Sequence, residues 1–105
     1  MKHTALAKRY ARALVDLVGS TGEATRLADE LALLAQIHDE SREWREVMAN
    51  PAFASERRGL AEALANEMNL GPETRRALLY LIEHGRQGYV GAISQAIAAL
   101  LESKT

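Results

Sequence analysis

Apolar residues recur every three or four positions along almost the whole chain, and this spacing limits the possible folds more than any other feature of the sequence. Such spacing places apolar side chains on one face of an α-helix, whereas a half-buried strand would show strict alternation. We find no convincing run of alternation, and the chain contains only two prolines. The sequence therefore predicts an all-α fold, a compact six-helix bundle.

Turn-forming residues set the predicted limits of these helices. Asn50-Pro51 and Gly71-Pro72 interrupt the apolar pattern, because the residue before a proline is disfavoured in the α region. Pro72 itself suits the first position of a helix. We predict helices over residues 4–18, 21–39, a short stretch after 41, a stretch after 55, 72–84 and 87–102.

Four further residues are predicted to shape the helix ends. Ser20, Ser41 and Ser55 each precede a predicted helix, where a serine hydroxyl can accept a hydrogen bond from a free N–H of the first turn. Gly85 follows the fifth helix, where a glycine can adopt the left-handed conformation that ends many helices.

The region around the fourth helix carries less regular signals. We expect Phe53 to fill the core from the link before this helix, and Leu60, Leu64 and Met68 to form its apolar stripe. Gly59 lies inside the helix at a cost of about 1 kcal/mol relative to alanine, which indicates a site of close packing.

Length, charge and cysteine content exclude several classes of protein. A chain of 105 residues is expected to be one domain, 1–105. A net charge of −1 disfavours a nucleic-acid binder and a polybasic membrane anchor. The absence of cysteine excludes disulfides and thiolate sites. No apolar run approaches the roughly 20 residues that span a bilayer, and the start of the chain is unlike a signal peptide, so we expect a soluble domain without membrane insertion.

The first and fifth helices are more apolar than a surface helix requires. In the first, a stripe of Leu6, Tyr10, Ala13, Leu14 and Leu17 adjoins a second stripe of Ala7, Ala11, Val15 and Val18. In the fifth, Leu79 and Tyr80 stand roughly opposite Leu78, Leu81 and Ile82. A helix that is apolar on two sides needs two partners. Either both helices are central in the bundle, or they form an exposed apolar groove that receives a partner helix.

Three segments resemble one known family. Residues 7–14, Ala-Lys-Arg-Tyr-Ala-Arg-Ala-Leu, resemble the opening helix of ATP synthase delta subunits and of the mitochondrial oligomycin-sensitivity-conferring protein. Residues 48–55, with Asn50-Pro51 and Phe53, resemble that family's link between helices, and residues 78–91, with Gly85-Arg86, resemble its apolar helix and Gly-Arg turn. Val15 stands where many members carry phenylalanine.

The resemblance implies a fold, a role and a set of partners. It implies a six-helix bundle that acts as a non-catalytic stator connector, holding the catalytic head of an F-type ATP synthase static during proton-driven ATP synthesis. The family's groove between the first and fifth helices holds the N-terminal helix of an alpha subunit. Carried over by position, the residues expected to line that groove are Tyr10, Ala13, Leu14, Leu17, Leu79, Tyr80 and Glu83.

The resemblance also implies a cellular location and a further domain. Members lie peripherally on the cytoplasmic face of the bacterial plasma membrane, within the ATP synthase complex. Family chains continue into a C-terminal domain that meets the b subunits of the peripheral stalk, and we expect that domain to be absent from these 105 residues. No cofactor is implied.

Other candidate sites have simpler interpretations. The three histidines, His3, His38 and His84, lack metal-ligand spacing. His38 and the acids near it are expected to form a solvated face, and Asp29 and Glu30 are adjacent on a helix and so do not face each other. We therefore predict no catalytic, cofactor-binding or metal-binding residue.

Some alternatives remain open at this point. The basic pairs Arg57-Arg58 and Arg75-Arg76 are interpreted as solvated helix ends or as contacts for acids of a partner. The function could also be that of a generic helical adaptor or a helix-turn-helix nucleic-acid-binding domain, although the near-neutral charge disfavours the latter.

Overall fold

A computed structural model describes residues 4–103 and shows six α-helices and two short 3-10 helices there. The predicted all-α six-helix bundle is confirmed. His3 lies outside the described residues. The α-helices are α1 Thr4–Leu17, α2 Thr21–Glu40, α3 Arg42–Ala49, α4 Arg57–Glu67, α5 Pro72–Glu83 and α6 Val90–Ser103, and the 3-10 helices are Pro51–Phe53 and Gln87–Tyr89.

Helices α2 and α6 form the centre of the bundle. They pack along each other, α1 packs on α6, and α4 packs mainly on α5. Aliphatic side chains fill the centre because the sequence has few aromatic residues. Those that are essentially inaccessible to solvent include Leu27, Leu31, Leu34, Leu78, Leu81, Ile93 and Ile97.

Two of the three predicted serine caps are confirmed. The Ser20 hydroxyl accepts a hydrogen bond from the Glu23 N–H at 3.1 Å, and the Ser41 hydroxyl accepts one from the Trp44 N–H at 3.1 Å. The prediction for Ser55 is wrong, because its hydroxyl donates to the Glu56 carboxylate and α4 begins only at Arg57. The backbone at Glu56 is already in the right-handed helical region, so the extended residue that a side-chain cap requires is missing.

Left-handed residues end α4 and α5 in the same way. Gly85, at φ 67°, ends α5 as predicted, and its N–H donates to the Ile82 carbonyl at 3.1 Å. The next N–H, of Arg86, donates to the Leu81 carbonyl at 2.7 Å, which completes a Schellman motif. After α4, the left-handed residue is Asn69, at φ 54°, in the position that Gly85 occupies after α5. Pro72 begins α5, as predicted.

Three expectations for the region of α4 are wrong. Phe53 is 36% exposed and Leu60 is 38% exposed, so neither belongs to the core. The buried residues of α4 are Ala61 and Ala65. This outcome follows from the position of α4, which packs mainly on α5 and not on the central pair of helices. At Gly59 no atom lies within 4 Å of the place that a Cβ would take, so no close approach requires a glycine.

Arginine side chains bind the carbonyls at the ends of three helices. Arg57, for example, donates to the Val47 carbonyl at 3.0 Å and to the Asn50 carbonyl at 2.9 Å, at the end of α3. Arg45 does the same at the end of α2, and Arg75 at the end of α4. The interpretation of both basic pairs as solvated ends is therefore wrong for their first members, which satisfy carbonyls that have no partner within the helix.

Glu30 joins α2 to the start of α5. Its carboxylate accepts hydrogen bonds from the Thr74 hydroxyl and from the Gly71 N–H, the latter at 3.2 Å. It also forms an ion pair with Arg26 at 3.0 Å. Burial alone would raise the pKa of Glu30, but the hydrogen bonds from Thr74, Gly71 and Arg26 outweigh it and lower the pKa below its ordinary value.

Candidate helix-binding groove

An apolar groove of about 390 Å³ lies between α1 and α5. Most of its lining is aliphatic or aromatic, and Ile93 of α6 contributes from the bundle interior. The other lining residues are Tyr10, Ala13, Leu14, Leu17 and Val18 on the α1 side and Glu73, Arg76, Ala77, Tyr80 and Leu81 on α5.

The groove stays open because α1 and α5 pack on other helices more than on each other. Helix α1 packs on α6, and Ala7 and Ala11 form its fully buried face. Small side chains at these positions let α1 lie close to the bundle, and the stripe with Tyr10, Ala13, Leu14 and Leu17 then faces the groove. Leu17 is 79% exposed and Tyr80 is 47% exposed. The interpretation of both helices as central is therefore wrong.

Aromatic and basic side chains close one end of the groove, which we call the Tyr10 end and define by Tyr10, Tyr80, His84 and Arg86. The rings of Tyr10 and Tyr80 meet edge to face with centroids 5.9 Å apart. His84 stacks on Tyr80 at 4.1 Å, and its Nδ1 lies 2.8 Å from the Tyr80 carbonyl, which can only accept, so Nδ1 carries the proton. This end of the groove is thus held in a fixed shape.

Arg86 connects α1 to the turn after α5. Its Nη1 donates to the Tyr10 hydroxyl at 2.6 Å. The Schellman motif at Gly85 sets the position of Arg86, because the Arg86 N–H is part of that motif. The hydrogen bond to Tyr10 raises the pKa of Arg86 further above its ordinary value, so this end of the groove carries a permanent positive charge.

The opposite end, which we call the Leu17 end and define by Leu17, Val18 and Glu73, has one acid and one base in its lining, Glu73 and Arg76. Glu73 lies in the first turn of α5, whereas Asp16, exposed on α1 beside Leu17, lines a separate depression with Arg12. Neither carboxylate forms an ion pair with another described residue of the chain. Arg76, one turn after Glu73, is exposed on the groove wall.

The structure brings most of the predicted site residues together. Tyr10, Ala13, Leu14, Leu17 and Tyr80 all line the groove.

Two predicted residues, Leu79 and Glu83, lie outside the groove lining. Leu79 is one residue before Tyr80, which turns its side chain by about 100° around the helix, and it packs against the core. Glu83 is exposed and forms an ion pair with Arg58 of α4 at 3.4 Å. The family pattern placed these residues on the correct helix but not on the face that lines the groove.

Sequence reasoning also missed part of the α5 wall. Ala77, Arg76 and Glu73 precede Tyr80 by three, four and seven positions, which is the spacing of one helix face. Counting back from Tyr80 would have found them. The charges of Arg76 and Glu73 obscured this pattern, because the wall of a helix-binding groove is recognised in a sequence mainly by its apolar residues.

His38, the other histidine that the structure describes, lies outside the groove. The described residues contain no group of three or more histidine, cysteine, aspartate or glutamate side chains that could hold a metal ion. The expectation that His38 lies on a solvated face is wrong. His38 is half-buried, and its ring lies near Gly88. Its Nδ1 is buried without a hydrogen-bond partner among the described residues. No helix of the described chain is long and apolar enough to cross a membrane.

Comparison with known proteins decides the family. A family model described as ATP synthase delta (OSCP) subunit matches residues 6–105. The chain belongs to this family. The resemblance of the three sequence segments is therefore confirmed, and the family is that of a non-catalytic subunit, in agreement with the prediction that the chain is not an enzyme.

Several curated relatives are ATP synthase delta subunits. The one from Geobacter sp. (strain M21) is 35% identical over 103 residues, which cover 97% of this chain and 57% of that protein. The one from Anaeromyxobacter sp. (strain Fw109-5) is 35% identical over 98 residues, or 92% of this chain and 55% of the relative. The chain thus spans little more than half the length of these relatives. No solved structure matches it.

Proposed function

We propose that this chain is the N-terminal domain of an ATP synthase delta subunit and binds the N-terminal helix of an alpha subunit between α1 and α5. The observation that carries the proposal is the open apolar groove, lined by Tyr10, Ala13, Leu14, Leu17 and Tyr80. Family membership supports the choice of partner. A generic helical adaptor would need no such match to the delta family.

The dimensions of the groove suit one amphipathic helix. From Glu73 to His84 the α5 wall is about 16 Å long at roughly 1.5 Å per residue, which is about three helical turns. Ala13 presents little bulk, so a helix backbone can approach α1 closely. Covering the exposed side chains of Leu17 and Tyr80 removes apolar surface from water, and fully burying one such side chain stabilises by about 1.5–3 kcal/mol.

A stator connector needs rigidity and a tight contact, and no chemical step. In the proposed role the domain resists the torque that rotation puts on the catalytic head while the synthase makes ATP. It does so at the cytoplasmic face of the bacterial plasma membrane, as a peripheral part of the complex. Contact with the b subunits of the peripheral stalk belongs to the further part of the delta subunit that the relatives have beyond the matched region.

Calorimetric titration with a synthetic peptide of the N-terminal residues of the alpha subunit from the same organism tests the proposal. The variant Ala13→Asp should weaken binding by 100-fold or more, because the partner helix would bury an unpaired carboxylate at a cost of several kcal/mol. Ala32→Asp is the matched control, since Ala32 is exposed on α2, away from the groove.

Circular dichroism must show both variants as helical as the unchanged chain. A folded chain that gives no heat of binding with this peptide contradicts the proposal. So does equal binding by the Ala13→Asp and Ala32→Asp variants.

A further inference from the structure

Arg86 differs from the other arginines that tie one part of the chain to another. Arg45, Arg57 and Arg75 each donate to backbone carbonyls at a helix end. Arg86 donates instead to a side chain, the Tyr10 hydroxyl, and forms no ion pair within the described part of the chain. The side chain that it binds is one that lines the groove.

The turn after α5 gives Arg86 a fixed base. The Arg86 N–H donates to the Leu81 carbonyl at 2.7 Å, and the Arg86 carbonyl accepts from the Tyr89 N–H at 3.0 Å. Next along the chain, the Gln87 side chain donates to the Met48 carbonyl at 3.2 Å, which ties the turn to α3. The guanidinium therefore extends from a backbone that is held on both sides.

The Tyr10 ring, in contrast, has little else to fix it. It is half-buried at the edge of the groove, on a helix that packs on α6 more than on α5. It touches α5 through the edge-to-face contact with Tyr80, itself 47% exposed. A tyrosine freed from its hydrogen bond can take other staggered rotamers, and the apolar groove is the nearest place where its ring can leave water.

We propose that Arg86 is a positioning residue, which keeps the groove open for its partner helix by holding the Tyr10 ring against Tyr80. Arg86 itself lies outside the groove lining, so it acts through Tyr10 and does not touch the partner. A groove that is already open in the free chain binds more tightly, because less side-chain ordering is left to do on association. This inference rests on the proposed function.

The expected size of the effect follows from the rotamers of one side chain. If only one of three staggered rotamers leaves the groove open, about a third of the chains can bind, and the apparent Kd rises about threefold. The attraction of the ring to the apolar groove increases this to about three- to tenfold. The loss appears in the association rate, because the partner holds the ring in place once it is bound.

A double-mutant cycle, measured by calorimetric titration with the alpha-subunit peptide, tests the proposal. Arg86→Met and Tyr10→Phe should each weaken binding by about three- to tenfold, and the double variant should bind no more weakly than the weaker single variant. Arg86→Lys can still donate to the hydroxyl and should recover most of the affinity. Arg42→Met, at an exposed position of α3, should have no effect and is the matched control.

The position of the Tyr10 ring can be measured in the free chain, without peptide. With 13C-labelled tyrosine, of which the chain has three, NMR should show a cross-relaxation peak between the rings of Tyr10 and Tyr80. The peak should weaken in Arg86→Met and return in Arg86→Lys. A purely structural role of Arg86 would lower the melting temperature and leave both this peak and the association rate unchanged.

The outcomes separate this inference from the proposed function. Unchanged affinity of Arg86→Met, or a ring contact that persists in it, overturns the positioning role. So do effects of the two substitutions that multiply, since Arg86 would then contact the partner directly. If Arg86→Met loses helical signal in circular dichroism, Tyr10→Phe, which removes only the hydroxyl, decides the question through the same ring contact and association rate. A folded, unchanged chain that binds no peptide sinks the proposed function, and the role of Arg86 in binding with it.

Discussion

Glu30 shows how one side chain can hold two helices together. It lies on α2, yet its carboxylate binds the N–H of Gly71, the residue just before α5, and the Thr74 hydroxyl in the first turn of α5. Gly71 has no side chain that could cap α5, and an acid from another helix places its negative charge at that N-terminus instead. The contact thereby fixes the start of the groove wall that carries Glu73, Arg76 and Tyr80.

Removing the charge of Glu30 should destabilise the fold in a pH-dependent way. Glu30→Gln should lower the free energy of unfolding at pH 7 by about 1.5–3 kcal/mol, the range for hydrogen bonds to a charged group. The pKa of Glu30 is lower in the folded chain than its ordinary value of 4.5. The stabilisation is therefore complete above that value and is lost as the pH falls through the folded pKa.

Urea unfolding at several pH values, followed by the fluorescence of the buried Trp44, measures this effect. The difference between the unchanged chain and the Glu30→Gln variant should shrink as the pH falls below about 4.5. Asp29→Asn, at the exposed neighbouring position, should show no such difference. A difference that stays constant down to the acid limit would show that Glu30 does not act through its charge.

At the scale of the elements, the ends of the helices were more predictable than their buried faces. Ser20, Ser41 and Gly85 act through backbone groups a few residues away, so the local sequence contains the whole cause. Phe53 and Leu60 depend on which helix covers them, and the sequence does not state that α4 packs mainly on α5. Local chemistry therefore predicted these turns, whereas the packing of the helices on one another could be learned only from the structure.

The difference between local chemistry and helix packing also explains which groove residues could be predicted. The apolar stripe of α1 could be predicted because Tyr10, Ala13, Leu14 and Leu17 repeat at helical spacing beside the buried alanines. In the second half of α5, apolar residues occupy almost every face of the helix. The face that lines the groove is therefore set by the contacts of α5 with α4 and α2 and not by composition. Leu79 was misplaced for this reason.

Two glycine substitutions should have opposite effects on stability. Gly85→Ala should cost about 1–2 kcal/mol, because φ is 67° there and the place of the Cβ is otherwise free, so the whole cost is conformational. Gly59→Ala, in the open first turn of α4, should stabilise by up to about 1 kcal/mol. Thermal unfolding by circular dichroism measures both. A stabilising Gly85→Ala would contradict the left-handed end of α5.

At the scale of the whole molecule, residues 4–103 combine a well-packed centre with an uncovered apolar groove. The bundle centre around α2 and α6 does not depend on a partner, whereas the groove leaves Leu17 and Tyr80 in contact with water. A partner helix that binds only the folded chain adds its binding free energy to the stability of the entire domain. Binding and unfolding are therefore coupled.

Peptide binding should raise the melting temperature of the whole domain. With the alpha-subunit peptide at 100 times its Kd, the gain is about 2.7 kcal/mol, which corresponds to roughly 10–20 °C for a domain of this size. Differential scanning calorimetry measures the shift. The Ala13→Asp variant, which should bind at least 100-fold more weakly, should gain at most about 0.4 kcal/mol, or about 2–3 °C, at the same peptide concentration, and a shift of equal size in that variant would place the binding site elsewhere.

The arginines at the ends of α2, α3 and α4 have a consequence for the substitutions that these helix ends tolerate. Arg45, Arg57 and Arg75 each donate to two backbone carbonyls. A guanidinium can do so because its N–H groups form a rigid fork, whereas a lysine ammonium is a compact point charge. Lysine at any of these positions would therefore keep the positive charge but lose the paired contact that joins the helix end to its neighbour.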